Sequence, residues 1–427
     1  MSPELKTTQT GSRPDEALEL RRWNALYLVA ALAMIFVTLA VAIQPLFLRR
    51  VLGVTLDSAG MINANVEVVA ELLTLAVIGA LGVLSDRYGR VPILVGGFAV
   101  GALGGFLAPF SFQLGTLLGI GGIAFYYFAR VLMALGTCSV WPQLATLAGD
   151  LTDRRTRARR LSNVTSMMAF GSALVFAVLM QIPRHSGVVV VMLFNAGLGM
   201  IGAELVRRLL TDVVPRQPEQ RIPWQPLWSL LVQQSRLRVA FAAALFSRGD
   251  VAMIGLFYML WTVYFADLVG KSPEQAAAHA GSIIGIVGLV LVATSLAWGL
   301  VIDRLGRLNA IIAGMAASGT GFLLMGTVVN PFDSFVLIPL VLIALGQMGA
   351  LLAPDILALD LTPQTLRGSM IGALNVVSGI GIILLLEIGG YLFDHVGPYA
   401  PFVLMGTGNL LVMSYALASS RRAVQAA

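Results

Sequence analysis

Twelve long apolar stretches, separated by short polar connections, dominate the chain. Each is long enough to cross the hydrocarbon core of a membrane as an α-helix, which takes about 20 apolar residues. The first stretch is too long for the apolar core of a cleavable signal peptide, so we expect it to be retained. The stretches begin near Trp23, Ile62, Val91, Gly119, Leu161, Val188, Val239, Gly281, Leu308, Phe335, Gly368 and Pro401. The pattern predicts an all-α integral membrane protein with 12 transmembrane helices.

The composition agrees with this pattern and narrows the function. Of the 427 residues, 57% are hydrophobic and 12% are charged, whereas soluble domains contain about 25% charged residues. The net charge of +6 does not indicate a nucleic-acid partner, because the basic residues lie between the apolar stretches. The only cysteine, Cys138, excludes an intrachain disulfide. We therefore expect a membrane protein whose function lies largely inside the bilayer.

The basic residues also predict the orientation, since cytoplasmic loops of inner-membrane proteins retain Lys and Arg. With both termini inside, 22 of the 28 Lys and Arg residues are cytoplasmic and Arg130 and Arg248 lie within spans. The four that fall outside are Arg49, Arg50, Arg184 and Lys271. This asymmetry predicts a multi-pass protein of the inner (cytoplasmic) membrane.

The longest internal connection divides the chain near its middle. It carries six arginines and four prolines between 207 and 238, a composition typical of a linker. We therefore expect a cytoplasmic tail at 1–22, a six-helix bundle at 23–206, a cytoplasmic linker at 207–238, a second six-helix bundle at 239–420 and a tail at 421–427.

Two signatures recur at the same places in both predicted bundles. The first is GVLSDRYGR at 82–90 after helix 2 and GLVIDRLGR at 299–307 after helix 8. The second is DLTDRRTR at 150–157 after helix 4 and DLTPQTLR at 360–367 after helix 10. Glycine at the start of the first signature lets helices approach closely, and its second glycine permits a tight reversal. An internal duplication of this kind indicates two related halves.

The first signature resembles the G-x-x-x-D-R-x-G-R loop of the major facilitator superfamily, and the resemblance extends over residues 23 to 420. It implies two six-helix bundles that rock about a central cavity and expose a solute site to each side in turn. It also implies a cytoplasmic gate in which Asp86 and Asp303 contact a helix N-terminus or an arginine, with Arg157 and Arg367 as the expected partners. The alternative is that these loops only fix topology through their positive charge. The expected gate residues are Gly82, Asp86, Arg87, Gly89, Arg90, Arg157, Gly299, Asp303, Arg304, Gly306, Arg307 and Arg367.

Ionisable residues inside spans are energetically costly and therefore indicate function. Glu67 and Glu71 lie on one face of helix 2 because they are four residues apart. Arg130 lies in helix 4 at a compatible depth, so we expect it to pair with Glu67 or Glu71, and proton binding to a carboxylate to alter the pair. The alternatives are a static ion pair that fixes packing, or a Glu67 that extends toward the surface.

A second polar cluster lies near mid-depth in helix 7. Arg248 and Asp250 are two residues apart and therefore face different neighbours. We expect them to line the cavity, where they bind an ionic substrate or carry a proton; the alternative is a salt bridge to helix 11 or 12. Asn375 in helix 11 adds hydrogen-bonding capacity to the same region. The expected substrate and proton cavity thus contains Glu67, Glu71, Arg130, Arg248, Asp250 and Asn375.

These features predict a secondary active transporter of a small solute, coupled to protons and embedded in the lipid bilayer as a monomer. The sequence contains no phosphate-binding G-x-x-x-x-G-K-[ST] loop and no Cys/His cluster, so we expect no enzyme activity, no cofactor and no resident metal. Alternatives are a facilitative or metal-ion carrier of the same fold and a non-transporting membrane receptor or assembly protein. Symport and antiport remain equally open.

Overall fold

The computed structural model describes residues 14–151, 157–212, 224–363 and 366–425. The side chains of Asp86 and Arg157 lie outside the described part, as do the middle of the expected linker at 213–223 and most of the expected tails. Within the described ranges all regular structure is helical, and 12 helices are long and apolar enough to cross a membrane. The prediction of an all-α protein with 12 transmembrane helices is confirmed.

The long helices follow one another with short connections. They are α1 (Pro14–Ala42), α2 (Leu56–Tyr88), α3 (Arg90–Leu107), α4 (Gly122–Asp150), α5 (Arg157–Ala177), α6 (Val188–Leu209), α7 (Ser235–Ser247), α8 (Pro273–Leu305), α9 (Arg307–Met325), α10 (Leu337–Asp360), α11 (Arg367–His395) and α12 (Ala400–Gln425). Shorter helical pieces cap or extend them at Gln44–Arg50, Ala108–Phe110, Ser111–Leu117, Leu179–Gln181, Pro183–Ser186, Trp224–Gln233, Gly249–Ala252, Met253–Tyr258, Met259–Phe265, Ala266–Val269 and Ser334–Val336.

Polar first turns explain why some helices begin before their apolar stretch. Helix α8 begins at Pro273, eight residues ahead of the expected start at Gly281. The Ser272 hydroxyl accepts the Gln275 N–H at 3.2 Å, and the Gln275 side chain accepts the Ser272 N–H at 3.1 Å. This reciprocal capping box stabilises a helix start that contains no large apolar residue.

Glycine crossings hold each half together internally, and they recur in both. Helices α3 and α4 cross where a Cβ atom on Gly136 would lie 2.5 Å from the Gly101 Cα atom. Helices α9 and α10 cross where a Cβ atom on Gly346 would lie 2.4 Å from the Gly314 carbonyl oxygen. Hydrocarbon supplies no hydrophobic driving force between helices, so such close backbone contact is a main source of their association.

The halves meet each other along two helix pairs, α2 with α11 and α5 with α8. We call the face of the bundle that carries the 82–90 and 299–307 loops the motif face, and the face that carries the α1–α2 and α7–α8 connections the opposite face. Helices α2 and α11 are in direct backbone contact near the opposite face, since a Cβ atom on Gly60 would lie 2.5 Å from the Gly390 carbonyl oxygen.

Polar contacts between the halves gather at the opposite face. Asp394, in the last turn of α11, accepts the N–H groups of Gly60 and Met61 at 2.6 and 2.9 Å. Arg50 pairs with Glu274 at 2.9 Å. Three further contacts join the same ends: Arg49 with Asp267 and the Val263 carbonyl, Tyr264 with the Val54 carbonyl, and Gln181 with the Ala278 carbonyl and Ser282.

At the motif face the first glycine of each signature stands clear of other residues. A Cβ atom on Gly82 or Gly299 would meet nothing within 4 Å. No described residue packs against these two positions, so the expectation that these glycines permit close helix approach stays a prediction. Among the described residues, the polar contacts between the halves thus lie at the opposite face.

The glycine crossings give the first testable prediction. Gly136→Leu and Gly346→Leu place a side chain where backbone already lies, so each is expected to destabilise the protein by about 1–3 kcal/mol or more. The measurement is the free energy of unfolding in detergent, followed by circular dichroism.

The matched control is Gly288→Leu in α8, whose Cβ atom would meet nothing within 4 Å. It is expected to leave stability nearly unchanged. Equal stability of all three variants would show that the crossings do not depend on glycine.

Candidate functional site

Arg130 is a buried charge inside the membrane spans with two polar partners. Its side chain projects from α4 and the residue is only 4% exposed. Nη2 donates to Glu67 Oε1 at 2.5 Å, and Nε donates to Gln44 Oε1 at 3.1 Å. Of the two carboxylates expected from the sequence, Glu67 is therefore the partner, and it turns inward instead of extending to the surface.

A hydrogen-bond network extends this ion pair to three helical segments. The fully buried Gln44 donates from Nε2 to the Asn63 carbonyl oxygen at 3.1 Å. Asn63, also fully buried, donates from Nδ2 to the Ala59 carbonyl oxygen at 2.8 Å. The network ties the helix after α1 to α2 and α4, and a buried charge is stable only when it is paired and hydrogen-bonded in this way.

Glu71 lies one turn from Glu67 and faces the other half of the protein. A Cβ atom on Gly379 of α11 would lie 3.0 Å from Glu71 Oε1, which places the carboxylate at the contact between α2 and α11. Glu71 is also attracted electrostatically by Arg248. The two glutamates of α2 thus have different surroundings, one paired within its half and one at the boundary between the halves.

Arg248 is an incompletely paired cation at that boundary. It sits where α7 is interrupted between Ser247 and Gly249, and it is partly exposed. Nη2 donates to Asn375 Oδ1 of α11 at 2.5 Å. Among the described residues, no carboxylate oxygen lies within 4.0 Å of its guanidinium nitrogens. The structure thus brings Arg248, Asn375 and Glu71 into one region.

Asp355 belongs to the same region and was missed by the sequence reasoning. It lies directly after Pro354 in α10, which packs against α7, and it is partly buried within electrostatic range of Arg248. The rule that selected the other charges, an ionisable residue inside an apolar span, would have found it. We call Arg248, Glu71, Asp355 and Asn375 the central charged cluster.

Asp250 does not join the central charged cluster. It is fully buried inside the second half, where Ser318 Oγ of α9 donates to its Oδ2 at 2.7 Å and Asn409 Nδ2 of α12 donates to its Oδ1 at 3.1 Å. Among the described residues it forms no salt bridge, so it matches neither the expected cavity position nor the alternative of an ion pair to α11 or α12. The orientation follows from the two-residue offset to Arg248, which directs the two side chains to different sides of α7.

The duplicated signatures form the same ion pair in each half. Arg90 Nε lies 3.3 Å from Asp150 Oδ2, and Arg307 Nε lies 2.9 Å from Asp360 Oδ2. Arg307 also contacts Asp303 at 3.4 Å. The last arginine of the first signature thus binds the first aspartate of the second signature, and both pairs remain within their own half.

The expected partner of Asp303 makes a different contact. Arg367 Nε donates to the Thr362 carbonyl oxygen at 3.3 Å, and Asp303 instead contacts Arg307, which follows directly after the reversal at Gly306. The Asp86 and Arg157 side chains, expected to interact in the first half, lie outside the described residues. The remaining arginines of the first signature, Arg87 and Arg304, are exposed.

The helix reversal in the first half is held by a residue that the sequence did not indicate. Gly89 and Gly306 have φ angles of +103° and +80°, a region that other residues rarely adopt. Asp212, just after α6, accepts the N–H groups of Arg90 and Val91 at 2.7 and 3.2 Å. A carboxylate at a helix N-terminus satisfies amide groups that have no partner within the helix.

Comparison with known proteins agrees with this architecture. The model of the Major Facilitator Superfamily matches residues 26–292 and 241–425. The chain belongs to the Major Facilitator Superfamily.

Relatives within the superfamily include two magnetosome proteins of Paramagnetospirillum magneticum. Magnetosome protein MamH is 50% identical over 95% of this chain and 94% of its own length. Magnetosome protein MamZ is 37% identical over 92% of this chain, which spans 62% of that longer protein. A crystal structure of the nucleoside transporter NupG superposes on this chain with a TM-score of 0.70. The superposition covers 94% of this chain and 98% of the NupG chain, at 13% sequence identity. This superfamily and fold are those of multi-pass membrane transporters, which are not enzymes.

A double-mutant cycle tests the buried pair of this superfamily member. Arg130→Gln or Glu67→Gln alone leaves one buried charge without its partner, and each is expected to cost about 3–5 kcal/mol of stability. The double variant removes both charges and is expected to cost clearly less than the sum. The free energy of unfolding in detergent measures all three.

The control is Glu71→Gln, which removes a carboxylate of the same helix that has no direct ion pair among the described residues. It is expected to change stability by less than about 1 kcal/mol. Additive losses for Arg130 and Glu67 would contradict the pair.

Substitutions of Asp250 test its hydrogen-bonded site. Asp250→Ala leaves Ser318 and Asn409 without their acceptor, and the expected loss is about 1–3 kcal/mol. Asp250→Asn is expected to cost less, because it keeps one acceptor oxygen and its amide can donate to the Asn409 Oδ1 atom, which is buried and has no described donor. Thermal unfolding in detergent ranks the two variants, and a lower midpoint for the asparagine variant would contradict this assignment.

Proposed function

We propose that this protein is a proton-coupled secondary transporter that moves a small solute by alternating access. The proposal rests on one observation: the polar contacts between the halves and the central charged cluster lie at different depths in the molecule. The polar contacts between the halves lie at the opposite face, whereas Glu71 of the central charged cluster lies deeper in the spans, at the contact of α2 with α11. A solute can reach the cluster from the motif face and leave on the other side once the halves have rocked.

The repeated ion pairs support rocking of each half as a rigid body. Arg90 with Asp150 and Arg307 with Asp360 connect helices within a half, so they do not oppose motion between the halves. The excess of Lys and Arg on the motif face supports a cytoplasmic location for that face and an inner-membrane location for the protein. The identity with MamH supports a role in magnetosomes.

Proton coupling is supported by the carboxylates of the central charged cluster. Glu71 belongs to the first half and Arg248 to the second, so their attraction favours the conformation in which they are close. Protonation of Glu71 removes its charge and weakens that attraction. Acidic conditions are therefore expected to shift the protein toward the state that is closed at the motif face.

A static receptor or assembly protein of the same fold is the competing function, and distances between spin labels separate the two. Cys138→Ala removes the native cysteine, and label pairs are placed at exposed positions in different halves. The motif-face pair is Tyr88 with Leu305, and the opposite-face pair is Leu118 with Leu268. Double electron–electron resonance measures both distances in nanodiscs.

Weakening the opposite-face contacts with Arg49→Gln and Asp394→Asn is expected to lengthen the opposite-face distance and to shorten the motif-face distance. The control pair, Tyr88 with Leu209, lies within one half and is expected to stay constant. Distances that do not change, or that change in the same direction, would contradict alternating access and favour the static function.

The same label pairs test proton coupling in mildly acidic and mildly alkaline buffer. Acid is expected to shorten the motif-face distance in the wild type and to have a much smaller effect in Glu71→Gln, which has lost the titrating carboxylate. Distance distributions that are identical in both buffers would remove the coupling and leave a facilitative carrier.

A further inference from the structure

The two arginines inside the membrane spans differ in a way that points to the solute. Arg130 is buried, with a carboxylate on Nη2 and an amide oxygen on Nε. Arg248 is partly exposed, and its one described hydrogen bond goes to the neutral Asn375. A guanidinium group has five N–H donors, so most of those of Arg248 have no hydrogen-bond acceptor among the described residues.

The carboxylates near Arg248 compensate its charge without occupying its donors. Glu71 and Asp355 are close enough for attraction, but neither lies within 4.0 Å of it in the described structure. Charges at such separations lower the cost of keeping a cation in the span. The hydrogen-bonding positions themselves remain open.

The chemistry of the open positions selects an anion. A guanidinium fork matches the two oxygens of a carboxylate or phosphate, and charge-assisted bonds of this kind are about twice as strong as neutral ones. A neutral solute offers no charge to replace the hydration of the guanidinium. A cation would be repelled by Arg248, and the described residues contain no group of three or more His, Cys, Asp or Glu side chains that could hold a metal ion.

We propose that Arg248 binds an anionic oxygen group, a carboxylate or a phosphate, on the transported solute, and that Glu71 and Asp355 provide the accompanying proton site. This inference rests on the proposed transport function and names the class of its cargo. The anion takes the free donors of Arg248 and weakens the attraction between that cation and the two carboxylates. One proton from solvent then binds a carboxylate oxygen of Glu71 or Asp355 and balances one negative charge of the solute.

The other charged and titratable groups around α7 do not compete for this role. Glu67 is committed to Arg130, and Asp250 faces Ser318 and Asn409 within the second half. Helix α11 contributes the neutral Asn375 to the cluster, while its Glu387 and Asp394 lie at least three turns further along the helix. On α12 the described charge, Arg421, lies at the motif-face end.

Ligand binding to the purified protein in nanodiscs tests the proposal directly. The probes are succinate and inorganic phosphate as anions, xylose and uridine as neutral solutes, and putrescine as a cation, each added at millimolar concentration in isothermal titration calorimetry. At least one anion is expected to bind, and the neutral and cationic probes are not. Whether succinate or phosphate binds more tightly distinguishes the two sources of the anionic group.

Variants then assign the binding to Arg248. Arg248→Gln is expected to weaken anion binding by about tenfold to a hundredfold, and Arg248→Lys by less, because it keeps the charge but not the fork. The matched control is Arg236→Gln, an exposed arginine near the start of the same helix, which is expected to bind like the wild type. Titrations in buffers of different ionisation enthalpy are expected to show uptake of about one proton per bound anion. This proton uptake is expected to be smaller in the double variant that combines Glu71→Gln with Asp355→Asn.

Any one of three results would overturn the proposal. Both anions fail to bind, the wild type and Arg248→Gln bind the anion equally well, or xylose, uridine or putrescine binds in preference to the anions. This failure is distinguishable from failure of the transport function. Spin-label distances that still change in opposite directions at the two faces would leave the transporter intact with a different cargo, whereas fixed distances would remove the transporter itself.

Discussion

Hydrocarbon offers no hydrogen-bond partners, so each charge inside the membrane must be satisfied by the protein itself. This constraint sorts the ionisable groups of the spans into two kinds. Arg130 and Asp250 are buried and hydrogen-bonded within one half, where they join helices. Arg248 has one neutral partner and stands at the boundary between the halves. A membrane protein keeps an incompletely paired cation only where water or a ligand completes its coordination, which is why we propose the solute site at this group.

The internal duplication separates scaffold from site. Both halves share the glycine crossings, the left-handed glycine at the helix reversal and the Arg–Asp pair between the two signatures. The charges in the spans are not shared. When the two halves are aligned on their repeated signatures, Ile284, Gly288 and Leu340 of the second half stand where the first half has Glu67, Glu71 and Arg130. Repeated features therefore build two similar bundles, and the features present once carry the specific chemistry.

Much of this was predictable from the sequence because it depends on local pattern. Apolar length predicts the 12 helices, and residue depth brings Arg130 within reach of the α2 carboxylates. The choice between Glu67 and Glu71 was not predictable, since residues one turn apart share a face and only the crossing of α2 with α4 and α11 decides which carboxylate meets which neighbour. The position of Asp250 depends in the same way on how α7 is rotated between α9 and α12. The contacts at the opposite face, such as Arg50 with Glu274, depend instead on the relative tilt of the two halves, which sequence pattern does not define and which differs between the conformations of an alternating-access protein.

The strengths of these contacts match the motion that we propose. Interconversion of two conformations requires that they differ by only a few kcal/mol, so the contacts that break must be individually weak. Arg50 with Glu274 and Arg49 with Asp267 each contain one largely exposed side chain, and ion pairs of this kind contribute about 0–1 kcal/mol each. The buried pair of Arg130 and Glu67, which costs several times more to break, lies within one half, so the proposed motion leaves it intact. Weak contacts between the bundles and strong contacts inside them are what allow two rigid bodies to rock without unfolding.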